Sequence, residues 1–278
     1  MEELIKLNGA SAPADYVDEE GYLCCGNCRT RKQFPISTWP LLDGTGRSER
    51  RLVSILCRCQ QERNEKEAAE RKEREHREFV SRLKGVCFTS PAKKQHTFEN
   101  AAMIPPQILE VAKAYVEGWL EMKKANTGFL FWGDCGTGKS YTAACIANAL
   151  MEQEVSVLMR NMGDLLNMSW ENREALCRDI ARYDLVIFDD LGMERNSEFG
   201  LETVFRVINA RYESGKPTIV TTNLSLQELK FPQDLAHKRI YGRVLEMCIP
   251  VQFAGPNVRP AIQQKKMNVF KRICKGGK

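Results

Sequence analysis

The sequence predicts an α/β fold built on a parallel, helix-covered sheet, and three observations carry that prediction. From Gly128 onward five short apolar runs, "FLFWG", "VSVLMRN", "DLVIFDD", "TIVTTN" and "MCIPVQF", alternate with amphipathic helical patterns, as strands buried on both faces require. The first run leads through a glycine-rich turn into the alanine-rich stretch Tyr141 to Leu150. The third ends in two adjacent acids, Asp189 and Asp190.

A chain of 278 residues is long enough for such a sheet and a further small module. Its formal charge of +5 is too modest to argue for nucleic acid from bulk electrostatics. No run of about 18 or more apolar residues occurs, and "MEELIKLNGASAPADYVDEE" lacks the basic start and apolar centre of a secretory signal. The expected location is the cytoplasm, with no membrane partner.

Residues 1–20 are polar and aperiodic and are expected to be mobile. Residues 21–60 carry "CCGNC" and "CRC" around the turn-rich "LLDGTGRSER", with too few aliphatic residues for a core of their own. Residues 61–97 form a linker. In "QERNEKEAAERKEREHREFVSRLK" acid precedes base by four residues at Glu62/Lys66, Glu67/Arg71, Glu70/Arg74, Glu73/Arg77 and Glu78/Arg82, and neither Gly nor Pro interrupts. This reads as an exposed helical spacer, and the absence of apolar heptads argues against a coiled coil.

Residues 98–255 hold the sheet. They open on a helix introduced by prolines, "PPQILEVAKAYVEGWLEMKK", with Ile108, Val111, Tyr115, Trp119 and Leu120 close to one face. Residues 256–278 are basic. From Gly255 to Lys278 there are seven Lys or Arg and no acid, which fits either a solvated, disordered tail or a nucleic-acid contact.

The turn after the first run, "GDCGTGKS", matches G-x-x-x-x-G-K-[ST] between a strand and a helix. Its glycines let backbone N–H groups wrap a phosphate chain at a helix N-terminus. Lys139 is expected to reach the β- and γ-phosphates and Ser140 to complete a magnesium shell. Cys135 fills a position that tolerates many residues. The loop fixes a ligand, not an activity.

The two acids and the residues downstream of them point to hydrolysis. At the end of a buried strand Asp189 can hold Mg²⁺, while Asp190, pointing the other way at period 2, can polarise the attacking water. Asn223, ending "PTIVTTN", is an amide able to orient that water, or merely the residue before a helix that Ser225 and Glu228 cap as a box. Arg239 and Arg243 in "HKRIYGRVLE" lie four apart on one predicted helix face. They read either as a salt-bridged surface or as a charge presented to a neighbouring subunit's γ-phosphate, which requires self-association.

In this order "GDCGTGKS", "LVIFDDLG", "TIVTTNLS" and "RIYGRVLEMC" resemble the bacterial and phage replicative-helicase loaders of the DnaC/DnaI type within the AAA+ superfamily, with IstB-like transposition ATPases as near relatives. The resemblance runs from about Phe98 to Phe253. It implies a five-stranded parallel sheet in the order 5-1-4-3-2 without a full helical lid, and an ATPase using ATP and Mg²⁺. It implies nucleotide contacts at Gly133, Asp134, Cys135, Gly136, Thr137, Gly138, Lys139, Ser140 and Tyr141, with Asp189 on magnesium and Asp190 as the catalytic acid. Family members often carry Glu at the last place, so the shorter Asp190 bears on turnover. Asn223 becomes the sensor, Arg243 the first finger candidate with Arg239 the second, and Arg259 in "GPNVRP" a cis-acting arginine. Extra helical material between the second and third strands, "MGDLLNMSWENREALCRDIARY", is expected to face single-stranded DNA. There Trp170, with Arg173 and Arg178, is a stacking aromatic or plain core.

Cys25-x2-Cys28 and Cys57-x-Cys59 offer four thiolates in two pairs, as a structural zinc needs, with Cys24 as a possible substitute for Cys25. Zinc would supply stability that the segment's apolar content cannot. The resemblance implies that this module grips the helicase. The expected function is ATP-dependent loading of a DnaB-type replicative helicase hexamer onto single-stranded DNA. A transposition ATPase acting on target DNA, and a zinc adaptor with an ATP-switched but barely hydrolytic site, are the alternatives.

Overall fold

In this computed structural model residues 13–37, 50–192 and 198–275 are described. They fall into two compact units, divided between Arg77 and Glu78.

In the first unit β1 (Tyr16–Val17) pairs antiparallel with β2 (Leu23–Cys24), and β3 (Gln33–Ser37) with β4 (Arg50–Ser54) in unbroken register from Gln33↔Ser54 to Ser37↔Arg50. Residues 13–20, expected to be mobile with the rest of the N-terminus, instead carry β1 and its turn. Asp18 Oδ1 accepts the Tyr22 and Glu20 N–H groups at 2.8 and 3.1 Å. Gly21, at φ +86°, lets the chain reverse there. Residues 1–12, and most of the "LLDGTGRSER" turn, lie outside the described residues.

α1 (Arg58–Cys87) is the charged helix. Glu73 and Arg77 meet at 2.7 Å, one of the i,i+4 pairs read from the sequence. Only its end buries apolar groups: Val80 and Cys87 are enclosed, with Leu83 packed beside them, at i, i+3 and i+7 on one face. Residues 78–97, joined to the linker in the sequence reading, therefore pack within the second unit, because this is where the helix acquires an apolar stripe.

The second unit holds a five-stranded parallel sheet of β5 (Gly128–Trp132), β6 (Val157–Asn161), β7 (Leu185–Leu191), β8 (Thr218–Thr222) and β9 (Cys248–Gln252). The spatial order β9-β5-β8-β7-β6 is 5-1-4-3-2 in the sheet's own count. Alternation of side chains sorts the core into two layers. Phe129, Phe131, Val157, Met159, Leu185, Ile187 and Ile219 face one layer, with α2 (Pro106–Glu117) and α4 (Lys139–Glu152). Leu130, Leu158, Val186, Phe188 and Val220 face the other. That layer also draws on α5 (Met162–Leu166), α6 (Trp170–Ile180), α7 (Glu198–Glu213), α8 (Leu226–Lys230) and α9 (Leu235–Met247). β9 is an edge strand, which tolerates its exposed Pro250.

The proline-introduced helix breaks in two. α2 stops at Glu117, and α3 (Trp119–Lys124) begins after Gly118, whose carbonyl accepts from Glu121 and Met122. The break re-phases the apolar face, so Tyr115 and Trp119 are buried while Leu120 is 72% exposed, against the single face read from sequence. The basic terminus is also not a disordered tail through Lys275. α10 (Arg259–Lys275) forms because Pro260 sits in its first turn and no glycine follows until Gly276. Among the described residues α10 is the helix that follows β9.

Candidate functional site

The loop Gly133–Gly138 closes on itself through its glycines. Gly133, Gly136 and Gly138 have φ of +131°, +78° and +98°. A Cβ on Gly136 would sit 2.0 Å from Asn257 Oδ1, so a side chain there is excluded by space as well as by conformation. The Val258 N–H donates to the Gly136 carbonyl at 2.9 Å and Asn257 Oδ1 accepts the Arg259 N–H at 3.0 Å. That braces the start of α10, and exposed Arg259, against the loop. Thr137 is buried with its hydroxyl on the Asp134 carbonyl, Cys135 is exposed at the tip, and Ser140 and Tyr141 are half-buried.

Lys139 is 5% exposed and its Nζ donates to the Gly133 and Asp134 carbonyls, each at 2.7 Å. Burial holds its pKa below the usual lysine range. An ammonium held, among the described residues, by neutral carbonyls in a glycine-lined cradle is the donor set a phosphate chain needs.

The adjacent acids do not follow simple strand alternation. β7 and β8 shift register between Phe188 and Leu191, and Asp190 has φ +62°, a left-handed conformation that costs a non-glycine residue about 1–3 kcal/mol. The bulge re-aims Asp190 and is the correction to the period-2 reading. Asp189 is 2% exposed. Its Oδ1 accepts from the Thr221 hydroxyl at 2.8 Å and its Oδ2 from Lys93 Nζ at 2.7 Å. The Asp190 N–H donates to the same Thr221 hydroxyl at 2.9 Å, and Asn161 Nδ2 donates to Asp190 Oδ2 at 3.1 Å. Burial, then the neighbouring Asp189 charge, raises the Asp190 pKa above the usual carboxylate value.

Asn223 directly follows β8 at a cleft it shares with Gly133 and Asp134, and the Ser225–Glu228 capping box comes next. Arg239 is exposed on α9. Arg243 is not: its guanidinium lies over Phe205 and Tyr212 at 4.9 and 5.4 Å and donates to the Arg239 carbonyl. Trp170 is 53% exposed, so it is not core. Arg206 stacks over it at 5.0 Å, and Arg173 over Phe199 at 4.4 Å. Arg178 is exposed on the same helix.

The sequence reading missed Lys93, Asn161, Thr221, Phe199 and Arg206. Thr221 left a legible trace, as one of three hydroxyls in the buried strand Thr218–Thr222, each of which must find a partner.

In the first unit the Sγ atoms of Cys25, Cys28, Cys57 and Cys59 all lie within 4.8 Å of one another, with Cys25–Cys59 at 3.5 Å and Cys57–Cys59 at 3.3 Å. Zinc–sulfur bonds of about 2.3 Å in a tetrahedron need sulfurs about 3.8 Å apart. Backbone N–H groups of Cys28 and Asn27 lower the Cys25 pKa, and the Thr30 hydroxyl, with nearby backbone N–H groups, brings Cys28 to about 5. Hydrogen bonding to Cys57 and Cys25 pushes Cys59 up to about 12. Four thiolates at this spacing repel unless a cation joins them, so the donor set fits zinc. Cys24 is excluded, since its thiol turns to Asp18 Oδ2 at 3.7 Å.

The family described as IstB-like ATP binding protein matches residues 62–266. The chain is 30% identical over 128 residues to the replicative helicase loader DnaC of Escherichia coli K12, covering 44% of this chain and 51% of that one. It is 28% identical over 146 residues to the DnaC of Buchnera aphidicola from Acyrthosiphon pisum, covering 50% and 57%. The chain thus spans about half the length of these curated relatives. A crystal structure of DnaI matches at a TM-score of 0.52 and 21% identity, covering 64% of this chain and all of that one, which bears on the fold. No helix among the described residues is long and apolar enough to cross a membrane. The match over most of its length means that this chain belongs to the IstB-like ATP-binding protein family, with a five-stranded parallel sheet and a four-cysteine cluster in its N-terminal unit.

Proposed function

We propose that this protein couples ATP binding and hydrolysis to delivery of a replicative helicase onto single-stranded DNA. The observation that carries the reading is the likeness to DnaC over 128 residues, in a chain that has a separate cysteine-bearing unit able to hold a partner. That unit leaves Phe34, Ile36 and Leu52 exposed on its strand pair, which supports a docking role. Beside the sheet, Trp170 and Phe199 with Arg173 and Arg206 supply aromatic faces and guanidinium charge suited to unpaired bases.

In this reading Lys139 and the loop amides hold the phosphates of ATP, and Ser140 and Asp189 hold Mg²⁺ with Zn²⁺ on the four cysteines. Bound magnesium neutralises phosphate charge and orients the γ-phosphoryl group. Asp190 accepts the proton of the attacking water, Asn161 holds that carboxylate in place, and Asn223 orients the water. Of the two arginines on α9, exposed Arg239 is the one able to reach a neighbouring subunit, while Arg243 is engaged by Phe205 and Tyr212. Arg259, braced beside the loop, acts within its own subunit.

The test is association with the cognate replicative helicase, measured by size exclusion on the full chain. We expect a complex that Cys28→Ser abolishes, and ATP turnover stimulated by single-stranded DNA that Lys139→Ala abolishes. Failure of the wild-type chain to bind the helicase would sink the reading. The family's IstB-like description favours a second one, a transposition ATPase acting on target DNA. Binding to the neighbouring-gene transposase in place of the helicase would establish it.

A further inference from the structure

Lys93 stands where nothing in the nucleotide-binding motifs calls for a cation. It belongs to a single 3-10 turn, Pro91–Gln95, that follows α1 and lies outside the sheet, yet its Nζ is 2.7 Å from Asp189 Oδ2. Asp189 is almost wholly enclosed, and its other oxygen is taken by the Thr221 hydroxyl. The turn and His96, the residue after it, are also held against α4. Asn148 Nδ2 donates to the carbonyls of Lys93 and His96, each at 2.9 Å, and the His96 ring stacks on Tyr141 with centroids 4.3 Å apart. Tyr141 directly follows Ser140. The turn is therefore attached to both groups read as the magnesium shell, to one directly and to the other through its chain neighbour.

We propose that Lys93 competes with magnesium for Asp189, so that loading Mg²⁺-ATP expels Lys93 and loosens the turn at residues 91–96. This rests on the ATP-site reading above and adds regulation to it. The physical basis is exclusion: Asp189 Oδ2 can accept the Lys93 ammonium or bind a divalent ion, but two cations on one buried oxygen repel strongly. Because only Phe88, Thr89 and Ser90 separate the turn from α1, its release gives nucleotide state a path into the charged helix. Metal-free ATP, lacking the competing cation, leaves Lys93 in place.

The experiment measures ATP binding to the full chain by calorimetry across a magnesium titration, with Lys93→Met and Lys93→Arg beside the wild type. Lys93→Met is expected to lower the Mg²⁺ concentration for half-maximal ATP binding by about tenfold, the equivalent of about 1.4 kcal/mol. Its ATP affinity in EDTA should stay within about twofold, and Lys93→Arg should behave as wild type. Hydrogen exchange should rise across residues 88–97 on adding Mg²⁺-ATP and not on adding ATP with EDTA. An unchanged or raised magnesium requirement in Lys93→Met, or a fall in exchange with Mg²⁺-ATP, overturns the proposal while leaving ATP binding intact. No ATP binding by the wild type at any magnesium concentration overturns the site reading with it. A purely structural ion pair would lower the melting temperature of Lys93→Met without moving the magnesium midpoint.

Discussion

Arg211 is fully buried, and among the described residues its guanidinium meets no carboxylate oxygen within hydrogen-bonding distance. Its five donors are spent on the carbonyls of Ile180, Tyr183, Asp184 and Pro217 and on the Thr218 hydroxyl. Burial pushes its pKa down to about 10, so it stays charged at neutral pH. The side chain ties the end of α6 and the start of β7 to β8, using a planar fork that lysine cannot reproduce. Arg211→Met would strand several buried carbonyls at about 1–3 kcal/mol each. We expect a loss of at least about 3 kcal/mol, or a fall of about 6–12 °C in melting temperature for a unit of this size. Calorimetry should find Arg211→Lys only partly better. The same rule, that a buried polar group needs a partner, explains Thr221. One hydroxyl accepts from Asp190 and donates to Asp189, and so sets both acids.

At the scale of elements, α1 changes character along its length. Its first two thirds are exposed charge, and its last turns supply Val80, Leu83 and Cys87 to the core of the second unit. Among the described residues the strand pairs of the first unit bury few apolar side chains, so the zinc proposed for the four cysteines would supply much of their stability. Removing zinc with a strong chelator is expected to release one equivalent per chain and to abolish protection from proteolysis over residues 13–57. The melting transition of the second unit should shift by less than about 2 °C, since the two units are separately compact. Loss of both transitions together would show that the units are energetically one.

At the scale of the whole molecule, the proposed hydrolytic site calls for an arginine from a neighbouring subunit. Lys139, Asp189, Asp190 and Asn223 lie at the carboxyl ends of β5, β7 and β8, while Arg239 is on the exposed face of α9. If Arg239 acts across a subunit boundary, Arg239→Ala should bind ATP within about twofold of wild type and lose turnover by about 10³-fold. Mixing it with Lys139→Ala should restore some turnover, because one interface in the mixed assembly then holds both groups. Absence of restoration, with assembly intact, would retire the trans role. Arg243→Ala should instead cost stability, through the lost packing on Phe205 and Tyr212.

What the sequence by itself determined is what repeats locally. The alternating runs and their glycine-rich turn specified the sheet and loop, and the Cys25/Cys28 and Cys57/Cys59 spacings specified the cluster, because strand period, phosphate cradles and thiol pairs are written within a few residues. Contacts between distant segments were not legible. Lys93 lies 96 positions from Asp189 and Asn161 lies 29 from Asp190, and no local pattern joins them. Gly118 looked tolerable inside a helix until packing of Tyr115 and Trp119 required a break, and the bulge at Asp190 exists only because β7 pairs with β8. Tertiary structure alone decided which carboxylate oxygen is already held by a lysine and which arginine is free to reach outward. Those outcomes depend on burial and on partners that the chain meets only once it has folded.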